Sequence, residues 1–310
     1  MLLLSNQVLE LGLDYIGLGK MRQERMSESF KTEVFHWHYG SSPLVVATIW
    51  YDMCHSGHAV LQPKDKTLKG FKHYMVAMFF LWVYPRNAGL AMTRFDICEK
   101  YCRGEKLWYW IQKISELKEK VIKWDPSIGR PNSSAFAGSI DCIDCKIWEI
   151  RHNYHENTNP GLMSQKFNHA GVKYEIVMDI TKSKCMSVVG PIRAGQHDMN
   201  VFRLETKEKM KQMPGKMLVA DKIYKAGRQR EQRDKVGMFA IPNSMDMAEL
   251  KAFKSRLRAR HETFNGRLKF FAILRDCFRS VNLAKHGLAF NAVCTIVQYQ
   301  CDNGSPIFAP

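Results

Sequence analysis

The sequence predicts an α/β protein: a mixed five-stranded sheet with flanking helices, preceded by a helical N-terminal region. Three observations predict it. Apolar residues recur at helical spacing from Pro43 to Trp124. Short apolar and β-branched runs, separated by turn formers, occupy the chain from Gly138 to Ile241. Helical periodicity then returns from Met247 to Gln300.

Residues 1–30 are mixed and poorly periodic, and read as a loosely attached arm. Phe35-His36-Trp37-His38-Tyr39 and Cys54-His55-Ser56-Gly57-His58 resemble metal ligands at first sight. Their spacings fit no standard zinc site, and packing is the plainer role for them. Pro43 suits a helix start, with Val45, Ile49 and Met53 following at helical spacing. Phe71 to Tyr84 is a second helix, closed by Pro85. Met92–Tyr101 and Glu105–Val121 continue the series, the latter with Leu107, Trp110, Ile111, Ile114 and Leu117 on an apolar face. Residues 1–124 could therefore hold a helix-turn-helix, or form a helical cap.

Residues 125–132 are rich in turn formers and read as a linker to a domain at 133–310. The strand around Asp141 comes first, then a polar loop from His152 to Asn168. Val172–Thr181 and Cys185–Gly190 are strands joined by a turn at Lys182-Ser183-Lys184. Asp198–Met210 is helical, Met217–Asp221 and Val236–Ile241 are short strands, and helices close the chain. Three hairpin-like strands, a helix, two strands and closing helices suggest an RNase H-like arrangement.

Composition narrows the partners. Of 310 residues, 46 are Lys or Arg against 30 Asp or Glu, a net charge of +16. That excess favours a polyanion, nucleic acid before membrane, over an unpartnered basic surface. The nine cysteines are scattered and odd in number. Cys142 and Cys145 lie within one strand with no second pair, so buried reduced thiols are expected, in the nucleus or cytosol. The Met1–Leu4 start lacks the basic region of a signal peptide. The apolar run Tyr74–Tyr84 falls short of the ~20 residues that span a bilayer.

The chemistry centres on Gly138-Ser139-Ile140-Asp141-Cys142. An aspartate inside a buried strand needs a cation, a set of donors or a raised pKa. Asp198, Asp221 and Glu262 are candidates to join it: one begins a helix, one ends a strand, one sits on the long helix that follows. Each alone reads as a cap, a turn residue or an ion-pair partner, and Asp198 in particular as a helix cap. Together they suit two Mg²⁺ ions, which take oxygen ligands and, roughly 3.5–4 Å apart, serve phosphodiester cleavage. On a helical wheel Glu262 lies about 140° from Leu257, off the apolar face. Arg258, Asn265 and Lys269 share its side, where Arg258 and Lys269, with Lys222, could grip phosphates.

Several motifs together resemble the DDE endonuclease domain of PIF/Harbinger-type transposases, in the versions found in algae and diatoms. They are Gly138-Ser139-Ile140-Asp141-Cys142, Lys166-Phe167-Asn168, Gly190-Pro191, Asp198-Met199-Asn200-Val201-Phe202-Arg203, Val219-Ala220-Asp221-Lys222-Ile223-Tyr224 and Arg258-Ala259-Arg260-His261-Glu262-Thr263-Phe264-Asn265-Gly266-Arg267-Leu268-Lys269. The resemblance covers most of the chain. It implies an RNase H-like fold and Mg²⁺-dependent cutting and joining of DNA, with Mn²⁺ as a substitute ion. Asp141, Asp221 and Glu262 match the family's catalytic triad, and Asp198 matches a further aspartate often assigned to the metal. Arg258, Glu262 and Lys269 also resemble a signature of bacterial insertion-sequence transposases, whose tyrosine would fall at Ser255. Ile223 departs from the family, which has glycine there. The resemblance further implies a Myb-like accessory protein and action in the nucleus, with homo-oligomers an option. The rival expectations are a domesticated DNA-binding protein that no longer cuts, and a nuclease without a joining step.

Overall fold

The computed structural model describes residues 2–98, 100–101, 104–126, 135–148, 161–164, 166, 168–224, 238–241, 243–280 and 282–308. All but the first two residues of the linker expected at 125–132, most of the loop from His152, and the start of the strand expected at Val236 lie outside these residues. The chain forms two compact units. The first comprises Met1–Val121, Leu268–Asp276 and Ala284–Ser305, and the second Ile122–Arg267, Cys277–Leu283 and Pro306–Pro310. Two C-terminal stretches of the expected 133–310 domain thus pack with the helical region.

The first unit is helical: α1 (Ser5–Tyr15), α2 (Glu28–Tyr39), α3 (Pro43–His55), α4 (Leu68–Val83), α5 (Ala88–Phe95) and α6 (Glu105–Glu116), with most of the C-terminal helix Leu283–Asp302. Side-chain caps set the starts of three. Ser27 accepts from Phe30 N, Ser42 from Val45 N with Pro43 in the first turn, and Thr67 from Gly70 N. Tyr84, left-handed at φ 43°, ends α4 just before Pro85. Residues 1–30 are not a loose arm. Val8, Leu9 and Leu13 of α1 are buried, and Tyr39 Oη donates to Gly12 O at 2.7 Å. The apolar stripe of α1 is short, and Gly12 weakens its pattern in the sequence while admitting the Phe35 ring.

Helices α2 and α3 flank a three-residue turn, Gly40-Ser41-Ser42, in which Gly40 is left-handed at φ 67°. A recognition helix would need an exposed polar or basic face. α3 is instead largely buried; it exposes Leu44, Tyr51 and His55 and contains no Lys or Arg. Gln300 from the C-terminal helix donates to Gly40 O and Ser41 Oγ, each at 2.7 Å, and covers the turn. Buried Asp52 of α3 accepts from Tyr299 Oη at 2.6 Å and pairs with Lys120, so a central carboxylate is compensated.

The second unit is built on a mixed sheet of six strands: β1 (Phe136–Lys146), β2 (Met163–Ser164), β3 (His169–Asp179), β4 (Cys185–Arg193), β5 (Met217–Val219) and β6 (Phe239–Ala240). Five were expected; the addition is the two-residue β2, which pairs with the first two residues of β3. β1 is central, antiparallel to β3 and parallel to β5, with β4 antiparallel to β3 and β6 parallel to β5. The β3–β4 turn closes where expected, with Asp179 Oδ1 accepting from Thr181 N and Lys182 N. Helices α7 (Asp198–Leu204) and α8 (Thr206–Lys211) follow β4, and α9 (Ala248–Phe270) follows β6. On one sheet face Ile140, Val177, Met199, Phe202 and Met210 form a core; on the other Ile180, Val219 and Ala240 pack with Leu257 of α9. The C-terminal helix becomes α10 (Leu283–Asp302) in this numbering. Among the described residues no helix is long and apolar enough to cross a membrane.

Candidate active site

Register places the first two carboxylates. Ser139 of β1 lies beside Val219 of β5, and the two strands run parallel. Two residues further along each chain are Asp141, midway along β1, and Asp221, just past the end of β5, so the two stand at the same level of the sheet. The end of a strand, where a loop begins, is where α/β sheets place ligand sites, and β5 supplies one beside Asp141. Asp141 is largely sequestered: Oδ1 accepts from Cys142 N at 2.9 Å, and Oδ2 lies 3.4 Å from Asn265 Nδ2. Burial pushes its pKa up to about 6; the negative charges of Asp198 and Asp221 add to the rise, while the Cys142 N–H and Lys166 oppose it.

Asp221 and Glu262 are joined by an arginine. Arg258 Nη2 lies 3.5 Å from Asp221 Oδ1 and 3.7 Å from Glu262 Oε1. Glu262 is exposed and the Arg258 and Asp221 side chains are each more than a third exposed, so this pairing contributes little to stability and exchanges readily with another partner. Asp221 Oδ1 also caps Lys222 N at 2.5 Å, which turns the chain at the strand end and leaves the Lys222 side chain in solvent. An open groove of about 270 Å³ runs along α9, lined by Lys251, Ser255, Arg258, Ala259 and Glu262.

The helix is pinned to the sheet by a residue that sequence reasoning passed over. His261 is buried, and its Nδ1 lies 3.0 Å from Ser139 Oγ. Ser139 stands two residues before Asp141, and His261 immediately precedes Glu262. Burial drives the imidazole pKa down to about 3, so it is neutral and its bond to Ser139 is that of an uncharged ring. The signal was present: residues 257, 261, 264 and 268 recur at helical spacing, and all four are buried. Glu262 is consequently turned outward, as the wheel anticipated.

Asp198 and Lys269 are placed elsewhere. Asp198 begins α7 behind His197, whose Nδ1 accepts from Met199 N and makes His197 the cap. Its carboxylate is buried in an ion pair with Lys173, which also donates to Gln196 O at 2.9 Å. Lys173 stands opposite Asp144 in the β1–β3 register, and Asp141 opposite Ile176. By strand alternation Lys173 and Asp141 point to opposite sheet faces. Asp198 therefore reaches Asp141 through space, without sharing its face. Lys269 belongs to the first unit, where Nζ donates to Leu274 O at 2.9 Å.

The Asp198 face carries a second group unseen in the sequence. Glu175, opposite Cys142 across the strands, is fully buried and accepts from Thr206 Oγ1. Burial pushes its pKa up to about 8, so it holds a proton at neutral pH. Nearby, Cys142 Sγ lies 3.7 Å from the hydroxyl of buried Tyr224, whose N–H donates to Asp221 O at 3.0 Å. The sign of the pH effect follows. Ionised Glu175 is disfavoured by the fold, so its cost grows as pH rises from about 4.5 to about 8 and is constant above. Glu175→Gln should match the wild type at pH 4.5 and gain on it by at most about 1.4 kcal/mol per pH unit up to pH 8. Denaturant unfolding across that range measures the gain, and a gain that keeps rising above pH 9 would contradict it.

As the side chains stand, no three Asp, Glu, His or Cys groups among the described residues converge on one cation position. Two features nonetheless suit a hard cation. The donors are oxygens, and Asn265 Oδ1 is buried beside Asp141 with no partner among the described residues. No protein family, curated protein or solved structure matches the chain.

Proposed function

We propose that this chain is a DNA-cutting enzyme of the RNase H-like, DDE type, a transposase or a nuclease akin to the PIF/Harbinger group. The observation that carries the reading is the parallel register that sets Asp141, midway along β1, level with Asp221 at the end of β5, with α9 presenting Glu262 and Arg258 beside Asp221. Strand order adds support: β2 and β4 both pair with β3, followed by β1, β5 and β6, with β1 central between an antiparallel and a parallel neighbour. The net charge of +16 suits a polyphosphate substrate.

Asp141 and Asp221, with Glu262, would hold the divalent ions, Mg²⁺ or Mn²⁺. Bound there, such ions supply an activated water and stabilise the departing oxygen. Asp198, paired with Lys173, supports the site from the far face of the sheet. Arg258 has a double role. Without the ions it neutralises Asp221 and Glu262; once they are satisfied otherwise, its guanidinium is free to take a phosphate in two-pronged fashion. Lys222 offers a second, point-like cation at the strand end. His261 and Ser139 hold the helix so that Glu262 faces the same edge as Asp221. Water would attack first, and the freed 3′-hydroxyl would then attack target DNA. A Myb-like accessory protein, self-association and a nuclear site of action accompany this reading.

The rival, a DNA-binding protein that does not cut, draws on one feature: Arg258 occupies the gap between two of the three triad carboxylates. Nicking of supercoiled plasmid separates the two. Wild type should nick with Mn²⁺ and not with chelator. Glu262→Gln should lower the rate more than about a hundredfold, or about 2.7 kcal/mol of transition-state stabilisation. Salt-sensitive DNA binding without nicking by wild type would establish the rival. Nicking without strand-transfer products would identify a nuclease.

A further inference from the structure

We propose that Asn265 is a positioning residue that ties α9 to Asp141 through its amide nitrogen and turns its carbonyl oxygen to the cation that Asp141 holds. The inference rests on the reading above and extends it to a residue outside the acidic triad. Asn265 is one of two described donors to Asp141, the other being the Cys142 N–H. A carboxylate only accepts, so Nδ2 is the atom that meets Asp141, and Oδ1 is the other tip of the same amide. That oxygen is buried and has no partner among the described residues. Unpaired buried acceptors are uncommon, and each calls for a partner not yet seen. Asn265 stands three residues after Glu262 and seven after Arg258, on the helical stripe that already carries the site. Its amide therefore sets the spacing between the sheet carboxylate and the helix glutamate, and adds a neutral oxygen to a hard-cation donor set.

The test is Mn²⁺ titration by calorimetry on the full chain: wild type, Asn265→Ala and Asn265→Asp, with thermal melts for each. Asn265→Ala should weaken Mn²⁺ binding about 10- to 100-fold, the range found for groups that orient ligands. Its melting temperature and its DNA affinity in chelator should be unchanged. Asn265→Asp keeps the oxygen, loses the donor and adds charge, so it should hold Mn²⁺ within about threefold of wild type or more tightly. Wild-type Mn²⁺ affinity in Asn265→Ala would overturn the proposal, as would a loss in Asn265→Asp as large as in Asn265→Ala. If the alanine variant does not fold, the aspartate variant decides by the same criterion. A flat isotherm for wild type itself would overturn the cation reading, and this inference with it, before any variant is compared.

Discussion

Asp141→Asn should unfold at a higher temperature than wild type at pH 8 while lacking the metal-dependent nicking proposed for the wild type. The two effects have one cause. Asp141 is held in β1 between the Cys142 N–H and Asn265, with no cationic side chain hydrogen-bonded to it among the described residues, and burial raises its pKa to about 6. The folded state thus penalises the ionised form. The penalty is absent below about pH 4, where the carboxyl is protonated folded or unfolded, and complete above about pH 6. Asparagine removes the charge and keeps one acceptor oxygen, for Cys142 N, while its NH2 group replaces Oδ2 and bonds Asn265 once that amide turns its own oxygen inward. It should gain about 1–3 kcal/mol at pH 7–8, from a shift of about two units at 1.36 kcal/mol each. That gain should vanish near pH 4. Mn²⁺ should narrow the gap at pH 8, because a bound cation relieves the same charge in wild type. Thermal melts at pH 4, 6 and 8, with and without Mn²⁺, provide the measurement. Equal stability of the two proteins at pH 8 would remove the argument that Asp141 awaits a positive partner.

Gly138→Ala should be the most damaging single methyl added to the second unit. A Cβ at Gly138 would lie 1.9 Å from Met178 O, a backbone atom of β3. Gly138 pairs with Asp179 on that side and with Leu218 of β5 on the other, next to a register shift. The clash cannot be relieved by a rotamer change. It needs β1 and β3 to separate, or β1 to twist, beside the strands that carry Asp141 and Asp221. A cost above about 4 kcal/mol is expected, a large share of a typical 5–15 kcal/mol stability. Denaturant unfolding checks it, and a midpoint shift equivalent to less than about 0.5 kcal/mol would show that β1 can move there. Loss of Mn²⁺ binding should accompany the loss of stability, because Gly138 lies three residues before Asp141.

Much of this architecture was readable from residue order. The apolar stripes of α4, α6 and α9 matched helical spacing, and Leu107, Trp110, Ile111, Ile114 and Leu117 are all buried. The β3–β4 hairpin followed from a polar turn between β-branched runs. Ser27, Ser42 and Thr67 cap their helices through local bonds. Short-range pattern failed where the deciding contact was distant. Residues 1–15 looked unattached because their partners are Phe35 and Tyr39. β2 is two residues long and has no periodicity to detect. The turn at Gly40 between α2 and α3 is likewise covered by a distant residue, Gln300, 260 positions away.

For the candidate site the division is similar. The chain by itself determined which acids were available, that Asp141 lay in a strand core, and that Glu262 faced away from the apolar side of its helix. These follow from residue type and local repeat, which act over a few positions. Tertiary structure alone decided which acids meet. Parallel pairing of β1 with β5 set Asp141 level with Asp221, whereas strand alternation sent Asp198 to Lys173 on the opposite face. Arg258 could be foreseen beside Glu262 at i,i+4, but not its reach to Asp221. Glu175 took its raised pKa from burial that no spacing reveals, and His261, although on the apolar stripe of α9, took its lowered one from how completely that stripe is covered. Register and desolvation are properties of packed strands and helices, set by contacts between residues remote in the chain, and they appear only once the backbone has closed on itself.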